Sequence, residues 1–240
     1  MNPKKGKIFL IPTLLSPGTE EKVIPEYNKH ILKKINYYLV ENERSARRFI
    51  SSLGLGIVIE RIKFYLLDKD TQYSEVKKFF EEIPDMEDVG VISEAGCPGI
   101  ADPGSRAVAY GHMSERDVIP LIGPSSILLA LIGSGFSGQK FTFHGYLPIN
   151  KGERINAIKS LENMVHKNSD TQIFMETPYR NNSLLDDLLS TCQNQTALCI
   201  ACNVSGDDQF LKTKTVKAWK IEKPDLHKKP TIFLLGKVST

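Results

Sequence analysis

ISEAGCPGIADPGSRAVAYGHMSERDVIPLIGPSS, residues 92–126, is the stretch whose reading decides the fold. Just before it, Val89, Gly90, Val91 and Ile92 form a short apolar run, as a buried strand does. Residues 93–104 are rich in Gly, Pro, Ala and acids, so they form a loop. A helix is expected beyond Pro103 and Gly104, starting near Ser105. A second strand, residues 118–122, ends in Gly123-Pro124-Ser125-Ser126, and a strongly apolar helix follows at 127–132. Two strand ends therefore each carry a loop of small residues. In an open α/β sheet, ligands sit outside the carboxyl ends of the strands, and small residues there let a flat ligand approach the backbone.

Working outward, strands are expected at residues 7–11 (KIFLI), 37–40 and 64–67. A helix is expected over 23–35, interrupted at Pro25, and an amphipathic one over 74–83 with Val76, Phe79, Phe80 and Ile83 on one face. After residue 140 the pattern alternates, giving strands at 141–147, 171–176, 196–204, 213–219 and 231–238, with helices over 151–167 and 182–191. The expectation is α/β with two α/β domains: residues 1–123 with a mainly parallel sheet and 124–240 with a mixed one.

Several signals are set aside on context. Gly133 to Gly138 spells G-x-G-x-x-G but follows a helix and precedes a strand, the reverse of the dinucleotide fingerprint, so it reads as a turn. Cys199 and Cys202 have metal-knuckle spacing, but residues three apart on a strand face opposite ways, so the pair reads as core. Four cysteines in 240 residues make no disulfide framework. His144, among aromatics, reads as a core histidine, and Asp102 as a tie within its loop. The net charge of +3 fits an anionic partner or a mixed solvated surface equally. With no secretory leader pattern and no apolar run near the ~18 residues of a membrane helix, the expectation is a cytoplasmic protein with no membrane partner.

Taken together, SEAGCPGIADPG and IPLIGPSS resemble the tetrapyrrole methylase superfamily. The similarity is greatest to its small subunit methyltransferase I-like branch, whose members methylate a ribose 2′-hydroxyl of ribosomal RNA. Ala95, Gly96, Pro98, Asp102, Pro103 and Gly104 fit the branch's loop, with Glu94 in place of an Asp. Further matches are Ile11-Pro12-Thr13, Glu41 and Arg44, residues 143–148 (FHGYLP) and residues 176–180 (ETPYR). The chain departs from the pattern at 14–18, where P-x-G-N-L is usual, at 41–44, where ENER replaces EDTR, and at 204–208.

The resemblance implies S-adenosylmethionine as cofactor, in a cleft between the domains, and a cytidine ribose of 16S-type RNA as acceptor. It places the cofactor at Pro12, Glu94, Ala95, Gly96, Cys97, Ile100, Ser125, Ser126, Glu176, Cys202, Asn203, Pro230 and Thr231. For Glu176, cofactor contact and substrate orientation both stay open, and Ser125-Ser126 equally suits a helix cap. Glu41 with Arg44 is the catalytic candidate; the bland alternative is an ion pair that orders the next helix. Arg44, Arg47 and Arg48 fall at i, i+3 and i+4, so a phosphate-contact patch and a solvated face paired with Glu41 and Glu43 are both open. Arg154 and Arg180 are expected on the RNA side. No metal is implied. The resemblance also implies a homodimer, with ribosomal RNA or the small ribosomal subunit as partner. Two other functions compete: methylation of a porphyrin or corrin ring, whose enzymes usually carry a G-x-G-P-G-D loop missing here, and a non-catalytic relative that keeps the cofactor.

Overall fold

The computed structural model describes residues 5–238. The chain divides after Ser125 into two compact units. The first contains, in order, β1 (Ile8–Ile11), α1 (Glu20–Val23), α2 (Glu26–Leu32), β2 (Tyr37–Val40), α3 (Glu43–Ser52), a 3-10 turn (Ile59–Arg61), β3 (Lys63–Leu66), α4 (Tyr73–Glu82), β4 (Val89–Ile92), α5 (Gly104–Met113) and β5 (Val118–Pro120). Its sheet has the order β3-β2-β4-β1-β5, with every pairing parallel.

Parallel strands need crossovers, and the crossovers cover both faces of the sheet. That is why β1, β2 and β4 are apolar runs rather than alternating ones, while the edge strand β3 keeps Lys63 and Leu66 exposed. Phe9, Ile11, Tyr38, Val40 and Phe49 pack on one side of the sheet. Ile8, Leu39, Val76, Phe80 and Val91 pack on the other. Local chemistry sets the helix ends. Pro25, at φ −59°, separates α1 from α2. Asn42 caps α3 by accepting the Ser45 amide at 3.1 Å. Gln72 and Glu75 form a reciprocal cap at the start of α4.

The register of this sheet positions everything above it. Ile11 pairs with Ile92, Ile92 with Val40, and Val40 with Leu66. Residues 12, 41, 67 and 93 therefore leave the sheet at one level.

The second unit runs α6 (Ser126–Ser134), β6 (Phe141–Tyr146), α7 (Lys151–Asn168), β7 (Thr171–Met175), α8 (Asn181–Thr191), β8 (Ala197–Cys202), β9 (Phe210–Thr215), α9 (Val216–Ile221) and β10 (Thr231–Gly236). Its sheet has the order β6-β7-β10-β8-β9, parallel only between β6 and β7. Cys199 and Cys202 are both buried, on opposite faces of β8 and in different apolar clusters.

Two expectations are corrected here. The strand expected at 213–219 ends at Thr215, and Val216–Ile221 is a helix. The Thr215 side chain caps that helix by accepting the Ala218 amide, and Trp219 turns inward to donate to the Leu198 carbonyl at 2.8 Å. Arg154, expected on an RNA-facing surface, is buried. Its Nε and Nη2 both reach Asp187 Oδ2, at 2.8 and 2.6 Å, and Nη1 donates to the Pro148 and Ile149 carbonyls. The guanidinium joins α7, α8 and the end of the β6 loop and serves the fold.

Two stability measurements check these readings. A Cβ on Gly90 would stand 2.5 Å from the Tyr38 ring, so Gly90→Ala is expected to cost about 1–3 kcal/mol in urea unfolding. Arg154→Ala leaves the buried Asp187 carboxylate with only the exposed Lys151 amine, 3.8 Å away, as a counter-charge, and is expected to cost about 3 kcal/mol by the same assay. Replacing both Arg154 and Asp187 by apolar residues is expected to recover much of that loss.

Candidate functional site at the sheet edges

At the carboxyl edge of the first sheet, the loops after β1, β4 and β5 are drawn together by small residues. The Thr13 amide donates to the Gly96 carbonyl at 2.9 Å. Gly96 takes φ +75°, and a side chain there would press on Leu15 and the Pro124 carbonyl. Gly123 lies so close to Pro12 that an added Cβ would stand 2.3 Å from the proline Cβ. The Cys97 thiol lies 3.4 Å from the Pro124 carbonyl, and burial pushes its pKa up, so it remains a thiol at neutral pH. Asp102 accepts the Gly99 and Gly104 amides at 2.8 and 2.7 Å, tying the loop that leads into α5. Burial raises its pKa against the pull of those two donors.

Pro12, Glu94, Ala95, Gly96, Cys97 and Ser125 all belong to this edge, and Ile100 lies in the same loop, half exposed. Glu176, Cys202, Asn203, Pro230 and Thr231 gather at one end of the second sheet. Thr231 pairs with Cys202, the Asn203 amide donates to the Pro230 carbonyl at 2.9 Å, and Glu176 follows Met175, the partner of Ile232. Ser126 opens α6. Each set is thus brought together within its own unit. Asn203 holds φ +48° and donates its side-chain amide to Asp208 at 2.6 Å. The Glu176 carboxylate is buried and already engaged, accepting the Thr177 amide and the Arg180 guanidinium at 2.6 Å each. Arg180, expected to face RNA, is therefore half-buried on its own loop.

A cleft of about 420 Å³ opens at the first edge, between the loop after β1 and α3, and includes Leu14, Leu15, Arg48, Phe49, Ser93 and Glu94. That size and an apolar lining with a few polar groups suit a small flat ligand. Of the residues singled out from sequence, Arg48, Glu94 and Ala95 line it. Leu14, Leu15 and Phe49 were passed over: the first two lie where the chain departs from the family pattern, and Phe49 lies on a helix singled out only for its arginines. Their apolar character beside a strand end was the available signal. Arg44 is exposed at the start of α3, whereas Arg47 is held by Glu43 at 2.8 Å and stacks on Phe64, its guanidinium carbon 4.8 Å from the ring centre. The expected patch of three arginines thus has Arg47 engaged on its own helix and the neighbouring strand.

Glu41 stands apart from Arg44 in its contacts. Its Oε2 accepts the Glu94 amide at 3.2 Å, beneath the 93–104 loop and outside the cleft lining. Desolvation raises its pKa, and the charges of Glu94 and Asp102 push the same way. The geometry makes Glu41 a support for the Glu94 loop rather than half of an ion pair with Arg44.

The residues of the first edge fit a nucleoside-type cofactor. Gly96 and the exposed Ala95 present little side chain, and the loop offers backbone groups and carboxylates that can meet hydroxyl and amino groups. Among the described residues no cluster of three His, Cys, Asp or Glu side chains could hold a metal ion, and no helix is long and apolar enough to cross a membrane.

No family model matches the chain. It is 24% identical over 235 residues to ribosomal RNA small subunit methyltransferase I of Buchnera aphidicola subsp. Schizaphis graminum, covering 97% of this chain and 78% of that protein. The protein of the same name from Micromonospora olivasterospora is 29% identical over 209 residues, covering 86% of this chain and 62% of the relative. That from Streptococcus pyogenes serotype M6 is 30% identical over 192 residues, covering 77% and 60%. The chain thus spans about three fifths of the length of the latter two. Among solved structures, the methyltransferase CobJ superposes with a TM-score of 0.62 at 17% identity, over 98% of this chain and 95% of that one. At that identity the likeness is one of fold. Along most of its length the chain is thus similar to proteins named ribosomal RNA small subunit methyltransferase I, and it shares the two-sheet α/β fold of the methyltransferase CobJ.

Proposed function

We propose that the chain transfers a methyl group from S-adenosylmethionine to a ribose 2′-hydroxyl of small-subunit ribosomal RNA, a cytidine in 16S-type RNA being the expected acceptor. The observation that carries this reading is the similarity to curated small subunit methyltransferases, 24% identical over 97% of the chain in one case, joined to a cleft of nucleoside size at the matched strand ends. The likeness to CobJ is one of fold and does not favour a tetrapyrrole substrate.

When bound, S-adenosylmethionine supplies an electrophilic methyl on a sulfonium. The chain's task is to hold the acceptor oxygen in line and keep water out, and positioning of this kind supplies much of the rate. Leu14, Leu15 and Phe49 give the target base an apolar wall, while Arg48 meets an adjoining phosphate. Glu20 and Glu94 are carboxylates of the cleft wall, where the hydroxyl proton can be taken up. Glu41 fixes the Glu94 loop from below. The cofactor is assigned to the residues that the resemblance names, with the loop of Ala95, Gly96 and Cys97 the most open to test. Ribosomal subunits place such an enzyme in the cytoplasm. Pairing of two copies belongs to the same reading, and the exposed Tyr146 and Ile149 offer apolar surface for it.

Calorimetry with S-adenosylmethionine should give binding that Ala95→Trp abolishes, and tritiated methyl should enter small subunits or their precursor RNA. No incorporation into any small-subunit preparation would sink the reading. Arg48→Ala is expected to weaken RNA binding and lower the salt slope by about one. Glu41 separates a base from a support. Glutamine can still accept the Glu94 amide, so Glu41→Gln is expected to keep methyl transfer within a few fold, while Glu41→Ala loses it. Because the folded pKa of Glu41 lies above 4.5, the folded state binds the proton more tightly than the unfolded one. The stability this gives is present below 4.5 and is lost as pH rises through the folded value. Glu41→Gln is therefore expected to be the more stable protein at neutral pH, with the difference shrinking on acidification, as read by urea unfolding across pH.

A further inference from the structure

Residues 176–182 and 225–230 of the second unit form a surface that the cleft at the first edge does not use. Tyr179 is 71% exposed, a large aromatic ring held out in solvent on the loop between β7 and α8. The ring is framed by His227 edge-on, 6.1 Å between centres at 78°, and by the Lys228 amine 5.9 Å from its centre. Both neighbours are themselves exposed.

The framing is built, because four hydrogen bonds strap one loop to the other. The Lys228 amide donates to the Pro178 carbonyl at 3.0 Å, and Asn181 Nδ2 to the Lys229 carbonyl at 2.7 Å. Asn182 accepts the Leu226 amide at 2.8 Å and donates to Asp225 at 2.7 Å. Arg180, next to the ring, is fixed by Glu176. The Tyr179 backbone is therefore set before any partner arrives, and little order has to be gained on binding.

Lys228 and Lys229 follow His227 on this loop, against Asp225, while Lys223 is paired with Asp186 and Lys220 donates to Asn194 beyond the far end of α8. The Asp225 carboxylate already accepts from Asn182 and the His227 amide, and Glu222 is held by Lys214. A fixed, exposed aromatic face with lysines beside it is the arrangement that holds unpaired nucleotides. The base stacks on the ring, and the cations meet the phosphates.

We infer that Tyr179, with Lys228 and His227, is a stacking platform for an unpaired base of the RNA, a second contact distinct from the nucleotide cleft beside α3. The inference rests on the ribosomal RNA reading and extends it to a substrate that offers a single-stranded segment as well as the target nucleotide. Stacking depends on the ring and not on the hydroxyl, so the platform tolerates any base and adds affinity rather than sequence choice.

The test is fluorescence anisotropy with a short fluorescein-labelled single-stranded oligouridylate and the whole chain, over a range of salt. Tyr179→Ala is expected to bind about ten- to a hundredfold more weakly, with Tyr179→Phe and Tyr179→Trp close to wild type. Lys228→Ala should lower the salt slope by about one. Unchanged binding by Tyr179→Ala, or equal loss in Tyr179→Phe, overturns the platform. Dependence on Tyr179 for whole small subunits but not for free RNA overturns it too, since the ring would then meet ribosomal protein. Methyl transfer by the wild-type chain is scored separately. Transfer intact with RNA binding indifferent to Tyr179 removes the platform alone; neither transfer nor RNA binding removes the ribosomal RNA reading and the platform with it.

Discussion

The common level at which the parallel strands end is the constraint on which the first unit depends. Ile11, Val40, Leu66 and Ile92 stand in one row across four strands. Backbone pairing holds that row, and apolar layers on both faces hold the sheet. A slip of one residue in β4 would turn its side chains over and lift the 93–104 loop away from Pro12 and Glu41. Because the row is fixed, short loops suffice to build an edge from four separate stretches of chain.

That edge is closed by close approach as much as by hydrogen bonds. Gly123 against Pro12, and Gly96 against Leu15, let the loops after β1, β4 and β5 lie nearly in contact. Asp102 folds its own loop by accepting two amides, and Glu41 supports it from the neighbouring strand. The acids here are partly desolvated, and Glu41 and Asp102 have raised pKa values. The protein accepts that electrostatic cost where it fixes the loop that lines the cleft, as functional edges commonly do.

The second unit reaches a similar result with antiparallel pairing. The adjacent ends of β7, β8 and β10 bring Glu176, Asn203 and Thr231 to one place, although long stretches of sequence separate them. Its ionic interior is structural: Arg154 and Asp187 join helices, and Glu162 accepts from Thr196 and the Gln193 amide. Polar residues that look functional in a list of arginines thus divide into those spent on the fold and those left on the surface, such as Tyr179 and Lys228.

The sequence by itself determined the succession of strands and helices, the two α/β domains and the small-residue loops, because apolar period, glycine and proline act locally and are legible one residue at a time. It also carried the resemblance to known methyltransferases, through motifs spread over the chain. What only the tertiary structure decided was the partner of each charged side chain. Arg154 sits on a polar helix start and reads as exposed, yet Asp187, 33 residues away, draws it inside. Arg47 follows the helical spacing that promises a patch, yet Glu43 and Phe64 hold it. Glu41 precedes Arg44 by three residues, yet it bonds the Glu94 amide, 53 residues on. The strand expected over 213–219 fails for the same reason: Trp219 finds a buried carbonyl on β8, and that contact favours a helix where the local pattern alternates. Charge and hydrogen-bond choices are settled by whichever donor or acceptor the fold brings within about 3 Å, and that distance is not written in the spacing of residues along a chain.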